Sequence, residues 1–428
     1  MNSKETTRDS SCFHLPEGDF IACHECDLLH SIQPIPAGGK ALCSRCGAFL
    51  YKNVPNSLDR ALSLSLTALM LFFMANVFPF LSLKSSGRIE ENVLISGAVT
   101  LYRLGMREVG ILVLLTSFVF PLLIIGGMLY ILLPLRFGHR PWKSALAYRM
   151  VKVLAPWTLL GVFMLGVLIS IVKLRDLATI IPGISLYSFI GLMLAATAAT
   201  ANLDTSLIWP PMKIKLAGAG SGSTAAERNL IGCHTCSLLV PKTYFDEHGH
   251  GTCPRCESPL HSRKTNSIAR TWALICAAAI LYIPANIYPV MTVIQFGRGA
   301  PNTILSGIVH LIESGMWGLA MIIFFASIVV PVLKLIVLSF LLISIQKKSP
   351  WRFADRTLLF RVTEAMGAWS MVDVYVVAIL AGLVKFGALS TIQPGIGVSF
   401  FGAVVIITMF AAHSFDPRLI WDKTERSK

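Results

Sequence analysis

The sequence is an internal duplication, and this feature constrains its fold more than any other. Two CxxC pairs near the start return 210 residues later: Cys23, Cys26, Cys43 and Cys46 match Cys233, Cys236, Cys253 and Cys256. Pro79 and Pro289 keep the same displacement, which becomes 212 further on, for Trp157 and Trp369. Identities at a nearly constant spacing indicate a tandem repeat. The sequence therefore predicts one fold that occurs twice.

Each copy contains four long apolar runs. The chain is 54% hydrophobic and only 14% charged, whereas soluble proteins carry about 25% charged residues. A helix of about 20 apolar residues spans a bilayer core. The predicted spans are 61–83, 109–135, 153–172, 177–203, 271–297, 314–346, 362–384 and 386–412. We therefore expect an α-helical polytopic membrane protein with eight spans, in which each four-helix module follows a zinc ribbon.

Basic residues indicate the orientation of the spans. The loops 136–152 and 347–361 each contain five Lys or Arg and at most one acid, whereas segment 84–108 mixes both signs. Basic loops stay in the cytoplasm. The first sixty residues are polar and lack an apolar h-region, so we expect no cleavable signal peptide. We therefore expect a multi-pass protein of the bacterial inner membrane, with the N-terminus, both ribbons and the C-terminus in the cytoplasm. These loops also explain the net charge of +14, so we expect no nucleic-acid partner.

The composition divides the chain into seven segments. A polar, disordered N-terminus and a short C-terminal tail enclose the two copies, and a Gly/Ser/Ala-rich segment reads as a flexible cytoplasmic linker between them. The predicted boundaries are 1–19 for the N-terminus, 20–56 for ribbon 1, 57–210 for transmembrane module 1, 211–228 for the linker, 229–265 for ribbon 2, 266–422 for transmembrane module 2 and 423–428 for the tail.

The cysteines predict two metal sites. Each copy begins with the pattern C-x2-C-x16-C-x2-C, in which two knuckles place four thiolates at the corners of a tetrahedron. Four ligands fill the coordination shell of Zn²⁺, so the sequence predicts two structural zinc ions. Iron or a redox switch is the alternative. Thiols of a cytoplasmic ribbon stay reduced, and the thioredoxin-like context of a redox CxxC is missing.

Charged residues occur inside the apolar runs of the second copy only. Lys334 and Asp373 match Ile124 and Gly161 of the first copy. Counted from Gln346 and Arg361, both lie 12 residues deep, or about 18 Å, which predicts an ion pair at one level. Further polar candidates are Ser327, Thr408, His413 and Glu364. The pair is either a structural contact between helices or part of a site for a lipid headgroup, a proton or an ion.

The sequence carries motifs that resemble the paraquat-inducible protein A family over residues of about 20 to 422. Besides the paired ribbons, these are IPAN at 283–286, TILSG at 303–307, ASIVVP at 326–331, WSMVDV at 369–374 and FDPRLIWD at 415–422. The resemblance implies an inner-membrane component of an envelope lipid-transport system that takes part in stress responses. It also implies a partner, a hexameric periplasmic tunnel of mammalian-cell-entry (MCE) domains. The family's polar cluster would fall on Ser327, Lys334, Asp373 and Thr408.

Other functions compete with lipid transport. The chain contains no GxSxG, HExxH or Walker A motif, and we expect no enzymatic activity. A proton- or ion-coupled transporter of a small solute would use Asp373 and His413 as proton carriers, although such transporters more often have inverted repeats. A membrane scaffold or sensor, whose zinc ribbons recruit a cytoplasmic protein, is the other alternative.

Overall fold

The computed structural model describes residues 20–85, 88–174, 179–210, 212, 222–245, 251–295, 298–383 and 390–422. The predicted N-terminal segment 1–19, the tail 423–428 and most of the linker lie outside these residues. The last part of the linker, 222–228, is described, and it packs on ribbon 1. Thr224 forms a β-bridge with Leu28, and Ala225 is fully buried. The prediction of a flexible linker is therefore wrong for residues 222–228.

Each ribbon consists of two short antiparallel hairpins, because four cysteines converge where the chain has too few apolar residues for a larger core. The strands of ribbon 1 are β1 (Phe20–Ala22), β2 (Leu29–Ser31), β3 (Lys40–Leu42) and β4 (Phe49–Lys52). Strands β5 to β7 belong to module 1. The strands of ribbon 2 are β8 (Leu230–Gly232), β9 (Leu239–Pro241), β10 (Gly251–Thr252) and β11 (Pro259–Leu260). The pairs are β1–β2, β3–β4, β8–β9 and β10–β11.

Module 1 has four spans, two of which contain a break. Its helices are α1 (Ser57–Val77), α2 (Ser96–Arg103), α3 (Arg107–Leu114), α4 (Phe120–Arg136), α5 (Ser144–Leu154), α6 (Leu160–Leu174) and α7 (Ile184–Asn202). A π-helical turn, Leu115–Val119, joins α3 to α4, and a 3₁₀ turn, Ala155–Trp157, joins α5 to α6. Three strands, β5 (Leu81–Ser85), β6 (Arg88–Asn92) and β7 (Thr179–Pro182), form an antiparallel sheet in the order β6-β5-β7.

Module 2 repeats this arrangement. Its helices are α8 (Ser267–Ile287), α9 (Ile304–Glu313), α10 (Trp317–Phe324), α11 (Val330–Gln346), α12 (Phe353–Met366), α13 (Val372–Leu383) and α14 (Gly397–Ser414). A π-helical turn, Phe325–Val329, precedes α11, and a 3₁₀ turn, Gly367–Met371, precedes α13. Strands β12 (Met291–Gln295), β13 (Arg298–Asn302) and β14 (Ser390–Pro394) form the second sheet, in the order β13-β12-β14.

The eight predicted spans are confirmed in number, although several begin or end elsewhere. The observed spans are Ser57–Val77, Arg107–Arg136, Ser144–Lys173, Ile184–Asn202, Ser267–Ile287, Trp317–Gln346, Phe353–Leu383 and Gly397–Ser414. The first predicted span runs too far, to residue 83, because the apolar residues after Val77 belong to β5. The fourth begins too early for the same reason, because the predicted run includes β7. A strand that continues an apolar helix leaves no change in hydropathy at the boundary. We call the end of the bundle with the sheets the sheet side and the other end the ribbon side.

Helix α13 is the centre of the bundle. All twelve of its residues are buried, Asp373 among them, and a helix surrounded by other helices on every side is expected to be apolar nearly all round. It packs on α2, α3 and α6 of module 1 and on α14 of its own module. Small residues allow this approach: a Cβ on Gly166 would lie 3.0 Å from Tyr375 Cβ. The Tyr375 hydroxyl donates a hydrogen bond to Thr116 Oγ1 at 2.7 Å, so the two modules share one core.

The ribbons are exchanged between the modules. Ribbon 1 buries Cys23 and Cys26 in a cluster with Phe360 and Trp421 of module 2. The cysteines of ribbon 2 are buried instead against the ribbon side of module 1, in a cluster that includes Tyr148. The two ribbons also contact each other, because Leu29 of ribbon 1 shares a buried cluster with Leu230 and Leu239 of ribbon 2. Each module therefore covers the ribbon that belongs to the other half of the chain.

Candidate metal centres and membrane polar site

The four cysteines of each ribbon converge on one point. Their Sγ atoms lie within 4.8 Å of one another in both ribbons. The closest are Cys23 and Cys46 at 3.5 Å and Cys233 and Cys256 at 3.4 Å. A tetrahedron with metal–sulfur bonds of about 2.3 Å has edges of about 3.8 Å. Each cluster therefore has the donor set and the size to hold one metal ion.

Every CxxC pair is followed by a residue in the left-handed conformation. These residues are Asp27 (φ 64°), Gly47 (φ 70°), Ser237 (φ 59°) and Glu257 (φ 54°). The conformation costs a non-glycine residue about 1–2 kcal/mol. The turn directs the two thiols of a knuckle toward the same point, and three of the four knuckles hold it without glycine. This geometry fits a cluster closed by a bound ion, which stabilises the turns.

Ion pairs fix ribbon 1 to module 2. Arg361 of α12 donates to Glu25 through Nε, at 3.1 Å from Oε1, and through Nη2, at 2.5 Å from Oε2. Its Nη2 also donates to the Cys46 carbonyl at 3.2 Å. Arg263, at the end of the ribbon 2 segment just before α8, binds Asp27 at 3.2 Å and also pairs with Asp422 of module 2. Bidentate pairs of this kind are directional, so they select one orientation of the ribbon.

The same contacts are missing from the other ribbon. The residues of ribbon 2 that match Glu25 and Asp27 are Thr235 and Ser237, which carry no charge. Arg149 of module 1 matches Arg361, and its buried Nε has no hydrogen-bond partner among the described residues. The arginine that pairs with Asp27, Arg263, has Asn53 as its match in the first half of the chain, so this ion pair favours the exchanged arrangement over one in which each ribbon packs on its own module.

Another acid, Asp416, organises the ribbon side of module 2. Burial opposes ionisation of Asp416, but hydrogen bonds and the charge of Arg418 outweigh it and hold the pKa of Asp416 below its usual range. Arg418 Nη2 donates to Asp416 Oδ2 at 2.9 Å, and the Lys264 N–H donates to the same oxygen at 3.0 Å. The carboxylate therefore ties the C-terminal segment to the entrance of α8.

We expect the Glu25–Arg361 pair to couple ribbon 1 to module 2. Replacing either residue with alanine should lower the free energy of unfolding, and the double variant should lose less than the sum by about 1–2 kcal/mol. The cycle is measured by denaturation of the purified protein in detergent. Arg149→Ala is the matched control and should have little effect. Additive losses for Glu25→Ala and Arg361→Ala would contradict the coupling.

Lys334 is buried in module 2 but does not pair with Asp373. Its side chain is 1% exposed, and Nζ donates to Thr408 Oγ1 at 2.9 Å. Nζ also lies beside Gly367, where a Cβ would be 3.5 Å away. Among the ion pairs formed by described residues, none includes Lys334. The predicted Lys334–Asp373 ion pair is therefore wrong.

The error lies in the starting point of the depth estimate. The third span of module 2 begins at Phe353 and not near Arg361, so Asp373 is 20 residues from its end, whereas Lys334 is 12 residues from Gln346. Lys334 is level with Gly367. Asp373 lies six residues further toward the sheet side, or about 9 Å along a helix axis.

Asp373 has a different environment. The Ser327 hydroxyl lies near its carboxyl group, and the cation whose charge acts on it is Lys173 of module 1. Within the described part of the chain, Asp373 Oδ2 and the hydroxyls of Ser327 and Ser370 have no hydrogen-bond partner that meets ordinary geometry. Buried polar atoms of this kind are rare in native proteins. The cluster therefore has capacity for a further polar group.

The π-helical turn positions Ser327. Pro331 has no N–H, so it cannot donate the helical hydrogen bond to the carbonyl four residues earlier, which is that of Ser327. The turn at Phe325–Val329 accommodates this break, and the same turn precedes Pro121 in module 1. Such turns are frequent at functional sites.

The remaining predicted residues lie closer to the ribbon side. The His413 carbonyl accepts a hydrogen bond from Lys264 at 2.5 Å, and Glu364 is exposed and lies in the field of the same lysine. The structure therefore brings Lys334 together with Thr408, and Ser327 with Asp373, and it places His413 and Glu364 outside both pairs.

Sequence reasoning missed five polar residues. Ser370 is buried just before α13, and its hydroxyl has no hydrogen-bond partner among the described residues. Lys173 is the cation whose charge acts on Asp373, but a lysine also occurs at position 385, so a comparison of the copies does not single out Lys173. Arg356 is 1% exposed and donates to Ser344 at 2.5 Å. It matches Ser144, so the comparison that found Lys334 could have found Arg356. The Tyr375–Thr116 contact carried no sequence signal.

Two clusters that can hold metal ions, joined to eight apolar spans, define a multi-pass membrane protein built by duplication. The sequence pattern of the family described as "Paraquat-inducible protein A" matches residues 58–213 and 268–425, the two transmembrane modules. The chain belongs to the paraquat-inducible protein A family.

Named relatives match over nearly their whole length. "Intermembrane transport protein PqiA" of Escherichia coli (strain K12) is 32% identical over 97% of this chain and 99% of its own. "Lipophilic envelope-spanning tunnel protein A" of the same organism is 31% identical over 96% of this chain and 93% of its own. "Probable intermembrane transport protein" of Haemophilus influenzae is 27% identical, over 96% and 98%. No solved structure is similar at a significant level.

Proposed function

We propose that this chain is the inner-membrane component of an envelope lipid-transport system. It moves lipid between the inner membrane and a periplasmic tunnel of MCE domains. The printed names of the relatives, which describe intermembrane transport and an envelope-spanning tunnel, support the proposal, as does family membership.

The orientation follows from the charges. The loops that join α4 to α5 and α11 to α12 carry the basic clusters, and both lie on the ribbon side. With basic loops inside, the ribbons, the linker and both termini are cytoplasmic, and the two three-stranded sheets face the periplasm. The sheet side is then the surface that meets the tunnel protein, in a complex with a hexameric ring.

The buried polar cluster carries the proposal. A charge in the middle of a bilayer costs about 2.5–3.5 kcal/mol even on insertion scales. Lys334 has three N–H donors and one hydrogen bond to a described residue, and Asp373 has an oxygen without a partner. Neither charge holds the helices together by pairing with the other, so a structural ion pair does not explain them. We assign them to lipid movement, as the groups that bind a headgroup or take up a proton.

One observation favours a second candidate, a proton- or ion-coupled transporter of a small solute. Titratable groups recur along the bundle, since His413 lies in the field of Lys334 and, further toward the sheet side, Asp373 lies in the field of Lys173 of module 1. Such a series of titratable groups suits a proton relay. The same relay is compatible with lipid transport, in which it would supply the energy.

We also assign Zn²⁺ to both cysteine clusters. Four thiolates at tetrahedral spacing prefer zinc among the metals available to a cytoplasmic site. With four protein ligands the ion has no open position for substrate, and its role is to stabilise the fold of the ribbon.

The proposal is tested by purification of the full chain from membranes, alone and with its tunnel partner. We expect phospholipid and an MCE-domain protein to co-purify, and labelled phospholipid to pass from donor liposomes through the complex to an acceptor. A preparation without the partner is the control. Absence of lipid transfer, together with uptake of a small solute into proteoliposomes under a pH gradient, would contradict lipid transport and support the second candidate.

A further inference from the structure

A groove opens on the outer surface of module 1, between α2 and α3. Its volume is about 320 Å³, in the lower part of the range for ligand sites, roughly 300–1,000 Å³. Val99, Tyr102 and Ile111 line it and are 38–50% exposed. Because α3 begins the second span and α2 lies just before it, the groove is open to the membrane near the sheet side.

The groove exists because small residues stand where the two helices meet. Gly110 lies so close to α2 that a Cβ would be 2.8 Å from the Ala98 carbonyl oxygen. The positions that match Ala98, Gly110 and Leu114 in module 2 carry larger residues, which are Ile308, Ala320 and Phe324. The groove is therefore open in module 1, whereas larger side chains occupy the matching positions of module 2.

The rim of the groove is positively charged. Arg103 ends α2 and lines the groove, and Arg107 begins α3 with its guanidinium 5.8 Å from the Tyr102 ring centroid. Neither arginine forms an ion pair with any carboxylate in the described part of the chain. The matching residues of module 2 are Glu313 and Trp317. An apolar groove in the bilayer with a cationic rim is complementary to an acyl chain and its phosphate.

We propose that this groove binds a glycerophospholipid from the leaflet on the sheet side, with one acyl chain between α2 and α3 and the phosphate at Arg103. The site is separate from the cluster around Lys334. Ala98 also lines a small internal cavity of about 20 Å³, which extends to Gly97, Ala378 and Leu383 between the modules. A lipid in the groove is thus held one helix away from α13. The role of this site in transport rests on the proposed function. Whether lipid occupies the site is measured independently, without a transport assay.

The test uses a phospholipid with a photoactivatable diazirine in one acyl chain, added to the purified full chain in nanodiscs, with labelled peptides mapped by mass spectrometry. We expect the peptide that contains α2 and α3 to be labelled at least fivefold more than the peptide with α9 and α10. Arg103→Glu should reduce that labelling at least fivefold, and Arg103→Lys should retain most of it. Glu313→Arg, the matched control in module 2, should create no new labelled site.

A second variant, Ala98→Ile with Leu114→Phe, gives the groove two of the larger side chains that module 2 has at the matching positions. This variant should also lose the labelling. Because Ala98 is buried, the melting temperature of this variant is compared with that of the wild type to check that the variant folds. If the melting temperature falls, the Arg103 variants still test the site, because Arg103 is exposed. Equal labelling of both modules, or labelling that survives Arg103→Glu, would mean ordinary annular lipid and would overturn the site.

The failures of the two proposals are distinguishable. If lipid transfer continues although the groove is not labelled, the groove is wrong and the transport function remains. If the groove is labelled in an Arg103-dependent manner but no lipid is transferred to an acceptor, the site stands and the transport function is wrong.

Discussion

Replacing Lys334 with isoleucine is expected to abolish transport while the protein remains folded in the membrane. Ile124 occupies the matching position of module 1, so the fold accepts this side chain there. The substitution removes a buried charge that has one hydrogen bond, to Thr408. Removal of that charge avoids a cost of about 2.5–3.5 kcal/mol. The Thr408 hydroxyl keeps its own bond to the Val405 carbonyl at 2.9 Å.

The measurement compares two quantities in the same preparation. Lipid transfer should fall to the level without protein, and so should complementation of a strain that lacks the gene. The melting temperature in detergent should stay the same or rise. Asp373→Asn, which keeps the shape of the side chain, should also lose transfer. Ile124→Val serves as the control in module 1. Transfer at the wild-type rate by Lys334→Ile would remove the main support for the polar site.

The second large effect is expected in the ribbons. Cys26→Ser removes a ligand of the first cluster, and loss of the ion should loosen the ribbon side of module 2, because ribbon 1 packs on Phe360 and Trp421. Structural zinc sites contribute about 10–16 kcal/mol in isolated peptides, so the damage should extend beyond the ribbon. Hydrogen exchange in α12 should increase at least tenfold, and chelation should have the same effect on both modules.

Matched variants separate the exchanged arrangement from its alternative. Cys236→Ser in ribbon 2 should increase exchange in α5 of module 1 and leave α12 protected. Cys276→Ser, at an exposed cysteine of α8 outside both clusters, should change neither. If Cys26→Ser instead loosened α5 and spared α12, the packing of the ribbons described above would be incorrect.

The duplication made the number of spans predictable, but not their arrangement. Hydropathy fixes the length of a helix that must cross lipid, so eight spans followed from the sequence. It says nothing about which ribbon packs on which module, since both ribbons have nearly the same local pattern. The discriminating residues are Asp27 against Ser237 and Arg263 against Asn53, and the Asp27–Arg263 pair joins positions 236 residues apart in sequence. Their pairing became visible only in three dimensions.

The polar site could also be predicted only in part, because the sequence identified its residues but not their relative heights in the membrane. Comparison of the copies identified Lys334 and Asp373 because a charge in an apolar run is conspicuous. Their relative height depended on where the third span of module 2 begins. The loop before α12 is basic, and α12 itself contains two arginines and two acidic residues, so composition does not mark the boundary at Phe353. An error of about two helical turns was enough to predict a pair that does not form, and to overlook Lys173 as the cation near Asp373.

The exchange of ribbons has a consequence for biosynthesis. Asp422, which pairs with the Arg263 that binds ribbon 1, follows Cys46 by 376 residues. At about 5–20 residues per second, a ribosome needs roughly 20 to 75 seconds to make that stretch. During this interval the first ribbon has its cysteines but not the surface that covers them. A polypeptide released before residue 416 would leave that ribbon uncovered, and chaperones and proteases can recognise such an unfinished product.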